Sequence, residues 1–279
     1  MAVVTEHTID IEKILASKVG DKMKYIPKSL VNWLIRTTHQ EELNEFIWRS
    51  REHEGADWLE DCVKFLDMNL KVEGFENLPE KDGQKRYTFV SNHPLGGGDG
   101  VALGAILSRK YGNDIRLIVN DILMHLPGLA PLCIPVNNTT KKRERGYTTM
   151  VEDGFTGEHN LLLFPAGLCS RKIDGKIQDL EWKKTFITKS VESQRDVVPI
   201  HFEGHNSNKF YRIANICKML KLKVNVAMLY LPDEMIKNRH NTFTVKIGKP
   251  IPWQTFDKSR KPKEWAQWVR EQVYELGAN

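Results

Sequence analysis

His93 and Asp99 are the residues of this chain whose types and spacing point most directly to chemistry. They stand in Val90-Ser91-Asn92-His93-Pro94-Leu95-Gly96-Gly97-Gly98-Asp99-Gly100, with five residues between them, three of which are glycine. An imidazole titrates near neutral pH, so it can take a proton from a hydroxyl under ordinary conditions. A carboxylate on its second nitrogen would fix the tautomer and direction of the ring. Glycines let the backbone turn within a few residues and leave room for a substrate. Two other readings compete. The glycines could cradle a phosphate, but this run is neither G-x-G-x-x-G nor G-x-x-x-x-G-K-[ST], and Asp99 would repel the anion. Asp99 could instead cap a helix starting near Gly100, which accounts for the aspartate and gives His93 and the glycines no role. Spacing alone leaves the pair and the cap both open.

For the pair to work, a strand must end just before His93 and a helix must begin near Asp99. Short apolar runs recur from Leu70 onward and read as strands over 70–74, 87–91, 115–119, 132–136, 160–164, 197–202, 224–230 and 243–248. Between them lie helical patterns at 100–111, 143–156, 181–193 and 210–220, with a final one at 262–276. This alternation predicts an α/β fold with a mainly parallel sheet flanked by helices. Ligands of such sheets sit beyond the carboxyl ends of the strands, and His93 follows directly on the strand at 87–91. Residues 10 to about 68 read as helical instead, with Leu30 and Leu34, and Val31 and Ile35, one turn apart. Pro27 suits a first turn and Gly55 a break between helices. The expected organisation is an N-terminal helical segment over 1–69, packing on the core or a membrane surface, followed by one α/β domain over 70–279.

Bulk composition fits this picture. Of 279 residues, 41% are apolar and 28% charged, which is ordinary for a globular chain with a real core. The net charge of +5 suits an anionic surface or an acidic substrate and is too small to argue for nucleic acid. Cys62, Cys133, Cys169 and Cys217 show no regular spacing, as expected of buried thiols in a reducing compartment. The N-terminus lacks the basic-then-apolar pattern of a secretory signal. The longest uncharged segment, in the region of Ile122 to Thr140, is interrupted by Pro127, Gly128, Pro131 and Pro135, which argues against a spanning helix.

Three blocks together carry a resemblance. Asn92-His93-Pro94-Leu95-Gly96-Gly97-Gly98-Asp99-Gly100 resembles the His-x4-Asp motif of the lysophospholipid and glycerol-phosphate acyltransferase family. Phe164-Pro165-Ala166-Gly167-Leu168-Cys169-Ser170-Arg171 resembles that family's Phe-Pro-Glu-Gly-Thr-Arg-Ser block, and Val197–Gly204 its late Val-Pro-Ile strand. The wording is similar to a bacterial haemolysin-like branch, itself similar to O-acyltransferases of lyso-aminolipids. The resemblance covers about residues 70 to 250 and implies transfer of a fatty acyl group from an acyl carrier protein or coenzyme A thioester to a lysolipid hydroxyl. It implies His93 as general base and Asp99 as its orienting carboxylate, with no cofactor or metal. The implied substrate contacts are Asn92, Gly96, Gly97, Asn138, Arg143, Phe164, Pro165, Gly167, Ser170 and Arg171. The expectation is a cytoplasmic enzyme, peripheral to the inner membrane and without a nucleic-acid partner.

The chain departs from the family pattern in ways that bear on the acceptor. Five residues rather than four separate His93 from Asp99, and the family's Glu is Ala166. Arg171 matches the family's Arg only with one residue inserted. Where the family has a strand ending in an acceptor-binding Arg, this chain has Ile134-Pro135-Val136-Asn137-Asn138. A phosphate monoester normally calls for an Arg fork, so a carboxylate-bearing lyso-aminolipid fits better than glycerol phosphate.

Other candidates have bland readings beside them. Cys169 could be a nucleophile paired with His93, or simply a packed thiol. Lys141, Lys142, Arg143 and Arg145 could bind an anion or a membrane, or form a solvated helix start. His201, Glu203 and His205 alternate along a strand end rather than following the helical spacing of a zinc-protease motif, so a metal is not expected. Trp33, Leu34 and Ile35 could meet a membrane or cover the core. Ile122–Val136 could wall an acyl chain. Three other functions remain open: a 1-acylglycerol-3-phosphate acyltransferase, a thioesterase-type hydrolase using the same pair on water, and a non-catalytic haemolysin-like membrane-surface protein in which His93 is dispensable.

Overall fold

The computed structural model describes residues 8–81, 83, 85–136, 145–220 and 226–278. Its N-terminal layer holds four helices, α1 (Ile11–Val19), α2 (Lys28–Thr37), α3 (Gln40–Arg49) and α4 (Ala56–Phe65). There follow β1 (Asn69–Glu73), β2 (Tyr87–Ser91), α5 (Gly98–Tyr111), β3 (Ile115–Asn120), β4 (Cys133–Val136), α6 (Arg145–Thr156) and β5 (Asn160–Leu163). After a small hairpin of β6 (Arg171–Ile173) and β7 (Lys176–Gln178) come α7 (Thr185–Glu192), β8 (Asp196–Phe202), α8 (Asn208–Met219), α9 (Leu231–Lys237), β9 (Thr242–Ile247) and α10 (Pro262–Ala278).

Seven strands form one sheet in the order β1-β9-β8-β2-β5-β3-β4. The ladders from β8 through β2, β5 and β3 to β4 are all parallel. Only β9 runs antiparallel to β8, carrying β1 parallel to itself at the edge. The sheet is therefore mainly parallel, as the alternation of elements predicts. A parallel sheet needs cover on both faces, and β2 shows why: all five of its residues are buried. Phe89 contributes to one buried cluster and Val90 to another, on opposite sides of the strand. Each such side chain stabilises the fold by about 1.5–3 kcal/mol.

The helix α4 belongs to that core. Trp58, Leu59, Cys62 and Val63 share a buried cluster with Phe89, Leu103 and Ile200. Gly104 on α5 lets α4 approach: a Cβ there would stand 3.0 Å from Leu59 Cδ1. The uncharged segment after β3 braces the same helix, with Gly128 against the Trp58 ring and its carbonyl accepting from Gly55 N at 2.7 Å. Leu129 and Leu132 of that segment are buried in the core, while Ile122 and Met124 are exposed.

Of the run read as a strand over 224–230, residues 224 and 225 lie outside the described residues, and Val226–Tyr230 forms a 3-10 turn instead. A short apolar run has no decisive period, and here Ala227 is buried against Phe210 and Tyr211 of α8 while Pro232 opens the next helix. Neither α9 nor the β6–β7 hairpin is foreseen in the sequence. Arg195, one of the largest fully buried side chains, closes the end of α6. It donates to the carbonyls of Phe155 at 2.6 Å, Gly157 at 2.6 Å and His159 at 2.8 Å, satisfying groups that a helix terminus leaves open. Burial pulls its guanidinium down to about 10, still charged at neutral pH.

Candidate active site

Because β2, β5 and β8 are parallel, the segments leaving their carboxyl ends gather at one end of the sheet. His93 comes from the end of β2. Its Nδ1 lies 3.1 Å from Asp99 Oδ2. Asp99 is fully buried and sits in the first turn of α5, whose N-cap is Gly97 rather than Asp99. The Asp99 carboxylate also accepts from Leu95 N at 2.9 Å, Gly96 N at 3.3 Å and Gly100 N at 2.9 Å. One side chain thus folds the turn and orients the imidazole. With the proton on Nδ1 directed at Asp99, Nε2 is left as the acceptor, the state a general base requires. The His93 ring stacks on Phe164 from the end of β5, centroids 4.0 Å apart and planes at 25°. Burial pushes His93 down, but the charge and hydrogen bond of Asp99, helped by Asp179, outweigh it, so the group titrates above its ordinary 6.5.

Asp179 is the residue of this site that sequence reading misses. It is buried between β7 and α7, and its Oδ1 accepts from His93 N at 3.1 Å and Ser170 Oγ at 2.6 Å. Its Oδ2 accepts from Trp182 Nε1 at 2.9 Å, and its own N–H donates to Tyr274 OH on α10 at 2.8 Å. Arg270 Nη2 donates to its carbonyl at 3.0 Å. Burial raises its carboxyl while the Ser170, Trp182 and His93 hydrogen bonds work against that rise. His93 therefore has one carboxylate on its ring and another on its backbone. No local motif announces the second; the nearest sequence signal is a lone Asp beside Trp182, in a segment of otherwise mixed polarity.

The other expected contacts divide by what their atoms already do. Asn92 is buried, with Nδ2 donating to Phe202 O at 2.9 Å and Oδ1 accepting from Phe202 N at 2.8 Å, so its amide ties β2 to β8. Ser170 is buried, with its hydroxyl on Asp179 and its N–H on His93 O at 2.7 Å. Gly96 has a φ of +83°, and a Cβ there would meet Leu231 Cδ2 at 2.9 Å and Cys169 Cβ at 3.0 Å. The packing of Leu231 and Cys169 leaves no room for a side chain there. Gly97 is more open: a Cβ there would have Met235 Sδ as its nearest neighbour, 3.9 Å away. Pro165 is buried, its carbonyl accepting from Lys183 N at 3.1 Å. Gly167 has a φ of +71°, and the Lys183 ammonium fills the space where a Cβ would be. Arg171 Nη1 donates to Cys169 O at 2.6 Å and to Ser170 O at 3.2 Å, with the guanidinium over the Phe210 ring. Asn138 and Arg143 lie outside the described residues, as do Lys141 and Lys142.

Cys169 is close to this centre but is a poor nucleophile. Burial raises its thiol, against the lowering influence of Arg171, so little thiolate is present at neutral pH. His201, of the alternating trio, lies edge-on to Tyr274, ring centroids 5.8 Å apart.

Known proteins share this chain's pattern over most of its length. The profile of a family described as acyltransferase matches residues 13–279. A lyso-glycine lipid O-acyltransferase of Phocaeicola vulgatus is 59% identical over 268 residues, covering 96% of this chain and 95% of that protein. One of the same name from Bacteroides thetaiotaomicron is 56% identical over 268 residues, covering 96% and 97%. Among solved structures, the 1-acyl-sn-glycerophosphate acyltransferase of Thermotoga maritima aligns over 80% of this chain and 82% of its own, with a TM-score of 0.48 and 18% identity. Matched by that profile over residues 13–279 and by both relatives over nearly their whole lengths, the chain belongs to the acyltransferase family.

Proposed function

We propose that the protein transfers a fatty acyl group from an acyl thioester to the hydroxyl of a lyso-aminolipid, and of a lyso-glycine lipid before others. The observation that carries this reading is the pair of half-buried His93 and fully buried Asp99, 3.1 Å apart, beyond the end of β2. It occurs in a chain 56–59% identical to two lyso-glycine lipid O-acyltransferases. In this reading His93 Nε2 takes the proton of the acceptor hydroxyl as its oxygen attacks the thioester carbonyl. The carbon–oxygen bond forms, the carbon–sulfur bond breaks, and the departing thiolate receives the proton back from His93. Asp99 holds the imidazole in register and stabilises its transient positive charge. A thioester is already activated, so placement and a base suffice. The donor is an acyl carrier protein or coenzyme A thioester, and no metal or cofactor takes part. The reading puts the enzyme at the cytoplasmic face of the inner membrane, held peripherally. Among the described residues, no helix is long and apolar enough to cross a bilayer.

The acceptor preference rests on charge. A glycine head group offers one carboxylate, which a single cation can meet, whereas a phosphate monoester carries nearly two charges and favours an Arg fork. Arg171 and Lys183 border the turn after β5, and Arg171 already has one guanidinium nitrogen committed to backbone carbonyls. The test is a side-by-side assay of purified protein with one acyl donor, offering lyso-glycine lipid or 1-acylglycerol 3-phosphate. The expected result is faster acylation of the lyso-glycine lipid. A tenfold or greater preference for the phosphate acceptor, about 1.4 kcal/mol in transition-state binding, would overturn the acceptor assignment.

A further inference from the structure

Two stretches of this chain hold no acidic residue, and the fold brings them together. One spans 22–40 and carries Lys24, Lys28 and Arg36; the other spans 204–232 and carries Lys209, Arg212 and Lys218 among its described residues. The first contains α2 and the second contains α8 and the turn Val226–Tyr230. They meet at Trp33 and Tyr230, whose rings stand edge to face at 5.7 Å. Lys209 of α8 lies over the same Tyr230 ring at 5.1 Å, so α8 borders the junction.

The exposed side of this junction is apolar as well as basic. On α8, Phe210, Tyr211 and Ala214 face inward, while Lys209, Arg212, Ile216, Met219 and Leu220 follow one another on the outer side at helical spacing. Met219 is 72% exposed, Leu220 58% and Ile216 50%. At the other end, Tyr25 is 76% exposed and Leu30 44%, just before and within α2. Large apolar side chains this open, in stretches that carry lysines and arginines and no acidic residue of their own, are the composition of a surface that lies in a lipid interface. The acid that ends the second stretch, Asp233, is paired with Lys237 and His39.

This face is also tied to the candidate active site. Leu231, next after Tyr230, packs on Gly96 of the His93 turn, and Cys169 lies in one cluster with Phe210, Tyr211 and Ala227. We infer that the outer side of α8, the Val226–Tyr230 turn and the start of α2 form a docking surface for an anionic lipid bilayer, which holds the His93 turn beside the membrane. The inference deepens the reading above, because a lysolipid acceptor is dissolved in a bilayer and must be collected from it. Apolar side chains supply insertion and the cations supply attraction to anionic head groups.

Vesicle flotation with the full chain tests this. Vesicles of equal parts phosphatidylglycerol and phosphatidylcholine are compared with phosphatidylcholine alone, so binding is read without reference to turnover. The wild type should float with the anionic vesicles and bind the neutral ones at least tenfold more weakly. Combined Ile216→Ser, Met219→Ser and Leu220→Ser should cut binding tenfold or more with an unchanged melting temperature. Each of Arg212→Gln and Lys218→Gln should weaken it by roughly fivefold. Activity toward acceptor dispersed in detergent should survive in these variants, so a wrong acceptor assignment and a wrong docking surface give different results. Variants that float like wild type would overturn the assignment. So would full vesicle binding by the variants with loss of binding to an acidic acyl carrier protein, which would give the face to a protein partner.

Discussion

Two loops build the candidate site, and they do it in opposite ways. In the turn from β2 to α5, every partner of Asp99 lies within six positions of it, from His93 to Gly100. In the segment from Phe164 to Lys184, Asp179 reaches His93 across 86 positions and Tyr274 across 95. The first loop aims the imidazole; the second anchors its backbone and stacks Phe164 on its face. The difference separates direction from placement: one aspartate sets where the ring nitrogen points, the other sets where the residue stands. Both are buried carboxylates, and both favour a protonated His93, so their effects can be told apart only by the readout chosen.

Asp99→Asn should have the larger effect. An amide cannot both accept from Leu95 and Gly96 and stabilise an imidazolium, so turnover should fall by about a hundredfold or more. Thermal stability should fall too, by roughly 1–3 kcal/mol, because buried donors of the turn lose an acceptor. Normal turnover in this variant, measured beside a thermal melt, would reduce Asp99 to a loop brace.

Asp179→Asn should cost less, about tenfold in kcat with KM little changed, and should leave a pH signature that a purely structural role would not. His93 must be neutral to act as a base, and its folded value is raised, so kcat/KM in the wild type should climb with pH through a point above 6.5. Asp179 contributes to that rise, so its removal should move the limb to lower pH. The stability side has a definite sign. A raised histidine stabilises the fold below its unfolded value of about 6.5, and this contribution is lost as pH climbs through the folded value. The wild-type melting temperature should therefore decline across the window in which activity appears, and less steeply in Asp179→Asn. An unmoved limb would separate Asp179 from the chemistry.

Cys169→Ala should be the mildest change, with turnover within about threefold of wild type, as expected of a packed thiol raised by burial. Mass spectrometry after quenching with labelled acyl thioester should find no adduct on Cys169 in the wild type. An adduct would replace direct transfer by a covalent intermediate.

What is legible in the sequence follows the same division. The strand before His93, the helix after it and the mainly parallel sheet are local signals of period and punctuation, and the sequence-based bounds agree to within a few residues. Asp99 is legible because its partner is near in the chain. Asp179 is not, because its hydrogen bonds come from β2, α10 and the Ser170–Trp182 segment, which only the folded sheet brings together. Asn92 and Ser170 look like site residues from their place in the motifs, yet their side chains are hydrogen-bonded within the protein. Motif membership marks the neighbourhood and not the direction of a side chain. The run at 224–230 misleads over its described part, Val226–Tyr230, for another reason: so short an apolar run carries too little period to separate a strand from a turn packed against a helix.

The central claim is that His93, aimed by Asp99, takes a proton from an acceptor hydroxyl rather than from water. Thiol release from a labelled acyl thioester, followed with and without lyso-glycine lipid in wild type and in His93→Ala, tests it most directly. The account predicts release that depends on the acceptor and matches acylated lipid one for one. It also predicts a loss of 10²–10⁴-fold in His93→Ala, about 3–5 kcal/mol, in a variant that a thermal melt shows to be folded at the assay temperature. Release that ignores the acceptor, or a His93→Ala protein keeping more than about a tenth of the wild-type rate, would contradict it.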